Sequence, residues 1–400
     1  MRLLFPRMIF RLLRGVDPAC VWTLAWNMGV KGARTMRDFE RRSKTGECFP
    51  PFLFLSLTHA CNLRCQGCWA RPAPPPAELS LEDADRVIEA AKRRGCRFFG
   101  LLGGEPLLYE KLFRLIERHP DCYFQVFTNG TLLTREAAER MRELRNVTPL
   151  ISVEGLEEVS DLRRGGRDVY AKTMEALRWA RQSRLFFGVA TSVCRSNWSD
   201  LVADRFLEDL IDRGVHYLWY YIYRPVGPDP APELCLSADE IVELRRFMVE
   251  ARSRLPLLLL DAYWDDQGRA VCPAAMGISL HINPTGDIEP CPPIQFSKDN
   301  LADGPSVERL VTESSFLREF RTFAVKTTRG CVLLEDPSAL RRFVISEKAR
   351  DTTGRGTGLQ ELGEMATRPG HHQPGREIPE KSAVYRWAKR KWFFGFGAYG

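Results

Sequence analysis

Three closely spaced cysteines have the clearest capacity for chemistry in this sequence. They are Cys61, Cys65 and Cys68, in the spacing C-x3-C-x2-C, and are called here the first thiol set. Thiolates at this spacing can hold one face of an iron–sulfur cluster. Because only three ligands are present, a cluster of four irons would keep one iron free to bind another molecule. The pattern therefore predicts a cluster that can carry out chemistry at its open iron.

Two other interpretations of the first thiol set stay open at this point. Structural zinc normally has four ligands in paired spacings, but no second pair lies nearby and His59 precedes the run. The alternative of unrelated buried thiols is consistent with the frequent burial of free cysteine. Twelve cysteines in 400 residues are too few for a disulfide scaffold. Ligand thiols must stay reduced, so we expect a cytoplasmic protein.

Alternating apolar runs and amphipathic stretches between residues 52 and 253 must position these cysteines. Six β–α units in succession predict a parallel sheet with helical crossovers, an α/β fold. In such folds the functional residues lie at the carboxyl ends of the strands, and the first thiol set directly follows the first strand. The predicted strands are 53–58, 97–102, 122–127, 149–153, 185–193 and 216–223, and the predicted helices are 80–94, 109–118, 135–144, 170–183, 199–213 and 237–253.

Short motifs follow the first four predicted strands in a fixed order. After the thiol set come Gly103-Gly104-Glu105-Pro106, Thr128-Asn129-Gly130, Ser152-Val153-Glu154-Gly155 and the segment Val159-Ser160-Asp161-Leu162-Arg163-Arg164-Gly165. Over residues 52–225 this ordered set resembles the radical S-adenosylmethionine (SAM) enzymes. The resemblance implies a partial (β/α)6 TIM-like barrel. It also implies a [4Fe–4S] cluster on the first thiol set, with the open iron chelated by the amine and carboxylate of SAM.

The resemblance also implies a role for each matching residue. Reductive cleavage of SAM at the cluster would give a 5′-deoxyadenosyl radical that abstracts hydrogen from an unactivated C–H position, chemistry that the cofactor carries. One departure leaves the adenine contact unassigned, because Gly67 stands where the family usually has an aromatic residue and Trp69 lies beyond it. The expected SAM contacts are Gly103, Gly104 and Glu105 near the amino group, Asn129 after the third strand, Ser152 and Glu154 at the ribose, and Arg164 at the carboxylate.

A second thiol set is formed by Cys272, Cys291 and Cys331. Alternating runs around residues 283–287 predict a hairpin that brings Cys272 and Cys291 together. This stretch resembles the start of the SPASM or twitch auxiliary-cluster domains, although the full SPASM pattern downstream is missing. The resemblance implies a small C-terminal α+β domain with a second [4Fe–4S] cluster, whose open iron could bind substrate or a carboxylate such as Asp336. A domain without a cluster remains the alternative.

Both ends of the sequence are basic and aromatic. Residues 1–50 carry ten Lys/Arg against four Asp/Glu, and residues 381–400 carry five Lys/Arg and no acid, so these ends sum to +11 within a net charge of +7. Arginine mixed with Trp and Phe is typical of segments in a membrane interface. A helix that packs its apolar stripe on the protein itself is an equal alternative. No motif for nucleic-acid binding accompanies these charges, so we expect no nucleic-acid partner.

Together these observations predict a radical SAM enzyme with one auxiliary cluster. We expect a basic amphipathic segment over 1–51, a radical SAM core over 52–253, an auxiliary domain over 254–350, and a flexible linker with a basic aromatic tail over 351–400. The partners would be an electron donor of the flavodoxin or ferredoxin type and a substrate, with a lipid-like or membrane-associated one favoured over a peptide or small metabolite. Peripheral contact with the inner membrane surface through both ends belongs to this hypothesis. The contrasting hypothesis is an iron–sulfur electron carrier or scaffold without catalysis.

Overall fold

One nine-stranded sheet organises the computed structural model, which describes residues 4–71, 75–261 and 263–391. Its order is β7-β6-β5-β4-β3-β2-β1-β8-β9, and all neighbours are parallel except β8 and β9. The strands are β1 Phe52–Ser56, β2 Phe98–Leu102, β3 Tyr123–Thr128, β4 Val147–Ser152, β5 Gly188–Val193, β6 Tyr217–Ile222, β7 Leu258–Leu260, β8 Ser279–Ile282 and β9 Ile288–Glu289, with β10 Phe296–Ser297 and β11 Arg350–Asp351 forming a separate pair.

Helices connect successive strands of the sheet, as the six predicted β–α units require. Ser80, Thr134 and Ser237 cap three of them through their side-chain oxygens. The helix predicted over 199–213 is divided in two. The helices are α1 Leu4–Gly15, α2 Pro18–Leu24, α3 Gly32–Ser43, α4 Leu81–Arg93, α5 Leu112–Arg118, α6 Arg135–Leu144, α7 Glu157–Arg164, α8 Val169–Gln182, α9 Trp198–Leu201, α10 Asp204–Asp212, α11 Ala238–Arg254, α12 Val307–Thr312, α13 Ser315–Thr327, α14 Val332–Glu335, α15 Pro337–Ser346, α16 Gly358–Glu364 and α17 Ala383–Lys391, with a π-helix over Ala25–Lys31.

The predicted hairpin is formed by β8 and β9 and continues the barrel sheet beside β1. His281 fixes it there, because its Nε2 lies 2.7 Å from Ser56 Oγ on β1 and its Nδ1 lies 2.6 Å from Glu289 Oε2 on β9. Burial lowers the pKa of His281 to about 3, so this imidazole is neutral. The strand that leads into the first thiol set and the hairpin of the second set therefore form one rigid unit.

A separate hydrophobic core supports the region after the hairpin. It is distinct from the barrel core and includes residues on both sides of position 350. The boundary expected at 350 therefore falls inside this core. Its buried members include Ile294, Phe296, Phe316, Phe320, Leu340, Phe343 and Leu362.

The segment over 351–380 is ordered and packed, so the prediction of a flexible linker there is wrong. It contains α16, and the carbonyl of His371 accepts a 3.0 Å hydrogen bond from Trp264 Nε1. Glu380 is buried and accepts a 2.8 Å hydrogen bond from Arg245 on α11. The polar composition misled the prediction because some of these polar groups are the partners of charges buried in the barrel.

The helices near both ends of the described chain meet at the amino-terminal end of the barrel. Arg11 on α1 donates 2.9 Å hydrogen bonds to the carbonyls of Ile211 and Val215, just before β6. On α17, Lys389 lies 3.2 Å from Asp261 after β7. Among the described helices, none has the length and apolar character needed to cross a membrane. Residues 1–3, the start of the Pro-rich loop at 72–74, and the predicted tail residues 392–394 lie outside the described residues.

Candidate active site

The first thiol set lies on the loop that leaves the carboxyl end of β1. Two glycines after β2 let this loop pack closely against the sheet. A Cβ at Gly103 would collide with the carbonyl of Thr58, and one at Gly104 with the carbonyl of Ala60, immediately before Cys61. The backbone amide of Gly104 donates a 2.7 Å hydrogen bond to the carbonyl of Thr58. These glycines are therefore required by the packing of the cysteine loop, and their contact with SAM stays a prediction.

The thiols of the first set are close enough to influence one another. Burial raises the pKa of Cys68 to about 12, and negative charge on Cys65 and Cys61 raises it further. Within the described residues, no three His, Cys, Asp or Glu side chains are close enough to hold a single metal ion. In an iron–sulfur cluster, each of the three thiolates would bind a different iron.

Glu105 is held in place by three hydrogen bonds. It is fully buried and does not line the cavity that lies at the carboxyl ends of the barrel strands. Its carboxylate accepts hydrogen bonds from the Thr128 hydroxyl and the Asn129 amide, both at 2.7 Å, and from the Leu107 amide at 3.1 Å. These contacts fix the turn after β3, and the position of Glu105 beside the SAM ammonium stays a prediction.

The turn after β3 also holds the cysteine loop in position. The Asn129 side-chain amide donates a 2.8 Å hydrogen bond to Asn62 Oδ1, one residue after Cys61. The Oδ1 of Asn129 accepts hydrogen bonds from the amide and the hydroxyl of Thr131. Asn129 thus supports the loop through Asn62, and like Glu105 it does not line the cavity.

A cavity of about 350 Å³ lies at the carboxyl ends of the barrel strands. Residues from six successive strands line it, which shows that the sheet curves around it. Three of the expected SAM contacts, Ser152, Glu154 and Arg164, are in its wall, together with Cys65 and Cys68. These predicted residues therefore share one cavity with two cysteines of the first thiol set.

Two arginines at the end of α7 give this cavity positive charge. Arg164 donates to the sulfur of Cys65 at 3.5 Å, and Arg163 donates to Glu154 at 3.1 Å. Both side chains are buried, and within the described residues the Nε and Nη2 of Arg164 and the Nε and Nη1 of Arg163 have no hydrogen-bond partner. Buried donors without partners are costly, so these groups fit an anionic ligand such as the carboxylate of SAM.

The second thiol set opens into the same cavity. All three cysteines line it, as do Cys65 and Cys68. Burial raises the pKa of Cys272 to about 11, with Cys331 raising it further. Burial also raises the pKa of Cys291, as do both other thiols of the set. Topology thus brings together cysteines that are up to 59 residues apart in the sequence.

Asp336, the suggested carboxylate ligand of the second site, has another function. Its side chain caps α15 by accepting a 2.8 Å hydrogen bond from the amide of Ala339. It does not line the cavity, so the suggestion is wrong. The charged group beside this thiol set is Arg224, whose Nε donates to the sulfur of Cys331 at 3.3 Å.

Sequence reasoning missed Arg224 and its neighbour Tyr223, which follow β6 and line the cavity. A Cβ at Gly67 would collide with the ring of Tyr223. The tyrosine therefore fills the space next to the cysteine loop that a side chain at position 67 would need. Their position at the carboxyl end of a barrel strand was the signal available in the sequence.

Comparison with known proteins supports the interpretation of this site. Residues 55–205 match the Radical SAM superfamily, and this range contains the first thiol set and every expected SAM contact. Residues 55–205 therefore form a radical SAM domain. The chain is accordingly a radical SAM enzyme, whose cofactors are a [4Fe–4S] cluster and SAM. Membership of this family favours catalysis over the electron-carrier hypothesis.

Relatives of this radical SAM enzyme extend well beyond the matched range. An AdoMet-dependent heme synthase of Nitratidesulfovibrio vulgaris is 24% identical over 321 residues, covering 73% of this chain and 84% of the relative. The mycofactocin maturase MftC of Mycobacterium tuberculosis is 28% identical over 310 residues, covering 72% of this chain and 76% of the relative. The similarity therefore extends beyond residues 55–205.

The fold is also shared with a solved structure. SuiB of Streptococcus suis matches with a TM-score of 0.62 at 16% identity, covering 84% of this chain and 81% of SuiB. This likeness confirms the predicted α/β barrel architecture.

Proposed function

We propose that this radical SAM enzyme holds two iron–sulfur clusters on opposite walls of one cavity and abstracts hydrogen from an apolar part of a substrate bound between them. The observation that carries the proposal is the single cavity of about 350 Å³ shared by both thiol sets. When bound to the first thiol set, the cluster and SAM supply a 5′-deoxyadenosyl radical that can take hydrogen from an unactivated C–H group.

The chain's own residues have three tasks in this proposal. The first thiol set binds the cluster and leaves one iron open. Arg164 and Arg163 offer the SAM carboxylate buried N–H donors that have no partner among the described residues. Ser152 and Glu154 lie in the cavity wall, where they bind the ribose. The expected contacts Gly103, Gly104, Glu105 and Asn129 act by holding the cysteine loop and the turn after β3.

We further propose that the second thiol set binds an auxiliary [4Fe–4S] cluster. Burial raises the pKa values of Cys272 and Cys291, which makes unbound thiolates unfavourable there. A metal centre removes that cost because a coordinated thiol is deprotonated outright. Arg224 supplies a positive charge beside Cys331. Such a cluster could pass electrons or anchor the substrate.

The lining indicates an apolar substrate segment. Phe54, Phe127, Trp69, Tyr221 and Tyr263 are in the cavity wall. A second apolar cavity of about 210 Å³ adjoins it and shares Val226, Pro293, Ile294 and Leu333 with it, which extends the space available for an elongated substrate. Relatives named for peptides and for tetrapyrroles show that substrates vary within the family. The basic aromatic ends lie at the other end of the barrel and so give no support to a lipid-like substrate.

The reaction also requires a reductant and reduced thiols. We propose an electron donor of the flavodoxin or ferredoxin type. A reducing compartment keeps six ligand cysteines free of disulfides, and this favours the cytoplasm.

Anaerobic reconstitution tests the proposed reaction. The full-length protein, loaded with iron and sulfide and supplied with SAM and dithionite, is expected to release 5′-deoxyadenosine. Replacing the first thiol set with alanine should abolish this product. Replacement of the buried Cys122, which precedes β3 and belongs to neither thiol set, by alanine is the control and should leave the product in place. A protein that forms no 5′-deoxyadenosine in the unsubstituted form would contradict the proposal.

A further inference from the structure

A large apolar cavity lies at the opposite end of the barrel from the thiol sets. Its volume is about 630 Å³, within the range of roughly 300–1,000 Å³ that ligand pockets have. Its floor consists of residues at the amino-terminal starts of the strands, among them Phe98 of β2, Tyr217 of β6 and Leu258 of β7. The packed barrel core separates it from the reaction cavity.

Four helical segments form the walls of this cavity. They are α1, α2, the π-helix over Ala25–Lys31 and α17. These helices stay exposed on their outer sides, since α1 contains no fully buried residue. The cavity is therefore surrounded by helices that come from both ends of the described chain.

The same helical segments also carry many exposed apolar side chains, and four of these, Phe5, Ile9, Val384 and Trp387, line the cavity. Among the described residues, nine of the sixteen large exposed apolar side chains lie between residues 4 and 31 or on α17. Trp22 is 70% exposed, Phe10 61% and Trp387 57%. Exposed patches of this kind mark surfaces that bind a membrane or another protein. The remaining members are Phe5, Ile9, Leu13, Trp26, Val30 and Val384.

The charges on this surface indicate which partner it binds. Neither α1 nor α17 contains an acidic residue. Arg7, Arg14, Arg386 and Lys391 form no ion pair with any described residue. Cations next to exposed Trp, Phe and Leu on amphipathic helices suit the headgroup region of an anionic bilayer, where the apolar side chains enter the acyl region.

We propose that this face binds an anionic phospholipid bilayer and that the 630 Å³ cavity takes an acyl chain from it. The proposal is independent of the reaction proposed above. It orients the barrel with its amino-terminal end on the membrane and its thiol sets facing away from it. The membrane thus serves as a docking surface, and the substrate reaches the reaction cavity from the aqueous side.

Vesicle flotation tests the docking surface. The full-length protein should float with vesicles of equal parts phosphatidylglycerol and phosphatidylcholine, and this binding should weaken in high salt and with pure phosphatidylcholine. The double variant Phe10→Ser/Trp22→Ser should bind about tenfold or more weakly, because two apolar side chains no longer enter the bilayer. The control Val325→Ser/Ile345→Ser changes two exposed apolar residues on the auxiliary region and should bind normally.

Circular dichroism and light scattering determine whether the variants stay folded and keep their oligomeric state. Both double variants change exposed residues, so they should keep the unsubstituted melting temperature. Equal vesicle binding by the two double variants, or no preference for anionic vesicles, would overturn the proposal. It would also be overturned if Phe10→Ser/Trp22→Ser converted a dimer into a monomer while vesicle binding stayed the same, since the face would then join two copies of the chain.

A phospholipid with a photoreactive acyl chain tests the cavity itself. Cross-links should map to cavity-lining residues such as Met8, Met28 and Tyr385. Gly29 borders the cavity and has open space around it, so Gly29→Phe should reduce these cross-links while flotation persists. Cross-links confined to the outer surface of α1, or unchanged by Gly29→Phe, would exclude the acyl chain from the cavity. If residues 392–400 of the chain kept the acyl chain out of the cavity, the cross-linking experiment would give this same contradicting result.

Discussion

Arg164 joins the first thiol set to the proposed carboxylate of SAM. One of its nitrogens lies 3.5 Å from the sulfur of Cys65, and two other nitrogens have no partner among the described residues. A guanidinium with free donors at fixed positions can bind a carboxylate through two hydrogen bonds. This residue therefore has more influence on SAM binding than on assembly of the cluster.

Replacing Arg164 with Gln should weaken SAM binding and leave the iron content unchanged. Hydrogen bonds to charged groups contribute about 1.5–3 kcal/mol, so the affinity should fall roughly 10- to 150-fold. Equilibrium dialysis of the reconstituted protein with labelled SAM measures this loss. The Arg178 side chain on α8 is exposed, so Arg178→Gln is a matched control and should bind SAM normally. An unchanged affinity in Arg164→Gln would show that the carboxylate binds elsewhere.

Arg224 donates to a cysteine of the second thiol set, as Arg164 does to a cysteine of the first. Burial alone would lower its pKa, but Tyr263 and Cys331 raise it overall, so the guanidinium stays charged. A positive charge that donates to a cluster ligand stabilises the reduced state. Arg224→Gln should shift the auxiliary midpoint potential to more negative values, by at most roughly 60–130 mV. Redox titration followed by electron paramagnetic resonance measures it, and a signal with unchanged potential would contradict this function.

At the scale of elements, two turns hold the cysteine loop. The turn after β2 packs its glycines under the loop, and the turn after β3 ties Asn129 to Asn62. A Gly104→Ala substitution should push the loop away from β2, because the new Cβ would overlap the Ala60 carbonyl. We expect iron content on the first thiol set to fall by half or more while the far-ultraviolet circular dichroism spectrum is retained.

The same substitution at a position with open space provides the comparison. Gly304 has no atom near its prospective Cβ, so Gly304→Ala should keep its iron. Full cluster incorporation in Gly104→Ala would mean that the loop tolerates the displacement and that the glycine pair matters for SAM instead.

Local patterns were sufficient to predict most of the elements. The strands of the barrel are buried along nearly their whole length, so each appears as a short apolar run, and the helix over Arg135–Leu144 begins and ends where its cap and periodicity place it. Glu105 shows what local patterns cannot predict. Its partners on β3 and in the following turn are 23 and 24 residues away, and only the register of β2 and β3 brings them to its carboxylate.

The second site depended on contacts even further apart in sequence. Arg224 and Cys331 are separated by 107 residues, and their contact requires the barrel and the auxiliary core to be assembled first. Composition failed at residues 351–380 for a related reason, because Glu380 is a polar residue whose partners, Arg245 and Arg252, are buried on α11.

At the scale of the whole molecule, a buried ion cluster fastens the returning chain to the barrel. Glu380 pairs with Arg245 and Arg252, while Asp261 pairs with Arg252 and Lys389. Removing one member leaves the others buried without full compensation. Glu380→Gln should therefore lower the free energy of unfolding by about 3–5 kcal/mol, measured by urea denaturation. The exposed neighbour Glu377→Gln should change it little.

This ion cluster also predicts sensitivity to acid. Burial alone would raise the pKa of Glu380, but Arg252 and Arg245 lower it overall. The Glu380 carboxylate contributes its full stabilisation at pH values above its pKa in the unfolded chain, which is about 4.3. This stabilisation is lost as the pH falls through the lower pKa of Glu380 in the folded state. The unsubstituted protein should lose stability below about pH 4 more steeply than Glu380→Gln. Parallel pH profiles for the two proteins would contradict this assignment.

The central claim is that two incomplete thiol sets bind two clusters on one cavity, and iron counting tests it most directly. Full-length protein reconstituted anaerobically should contain about eight irons per chain, and alanine replacement of either thiol set should leave about four. Only replacement of the first set should also remove SAM-dependent changes in the electron paramagnetic resonance spectrum. About four irons in the unsubstituted protein, unchanged when Cys272, Cys291 and Cys331 are replaced, would contradict the account.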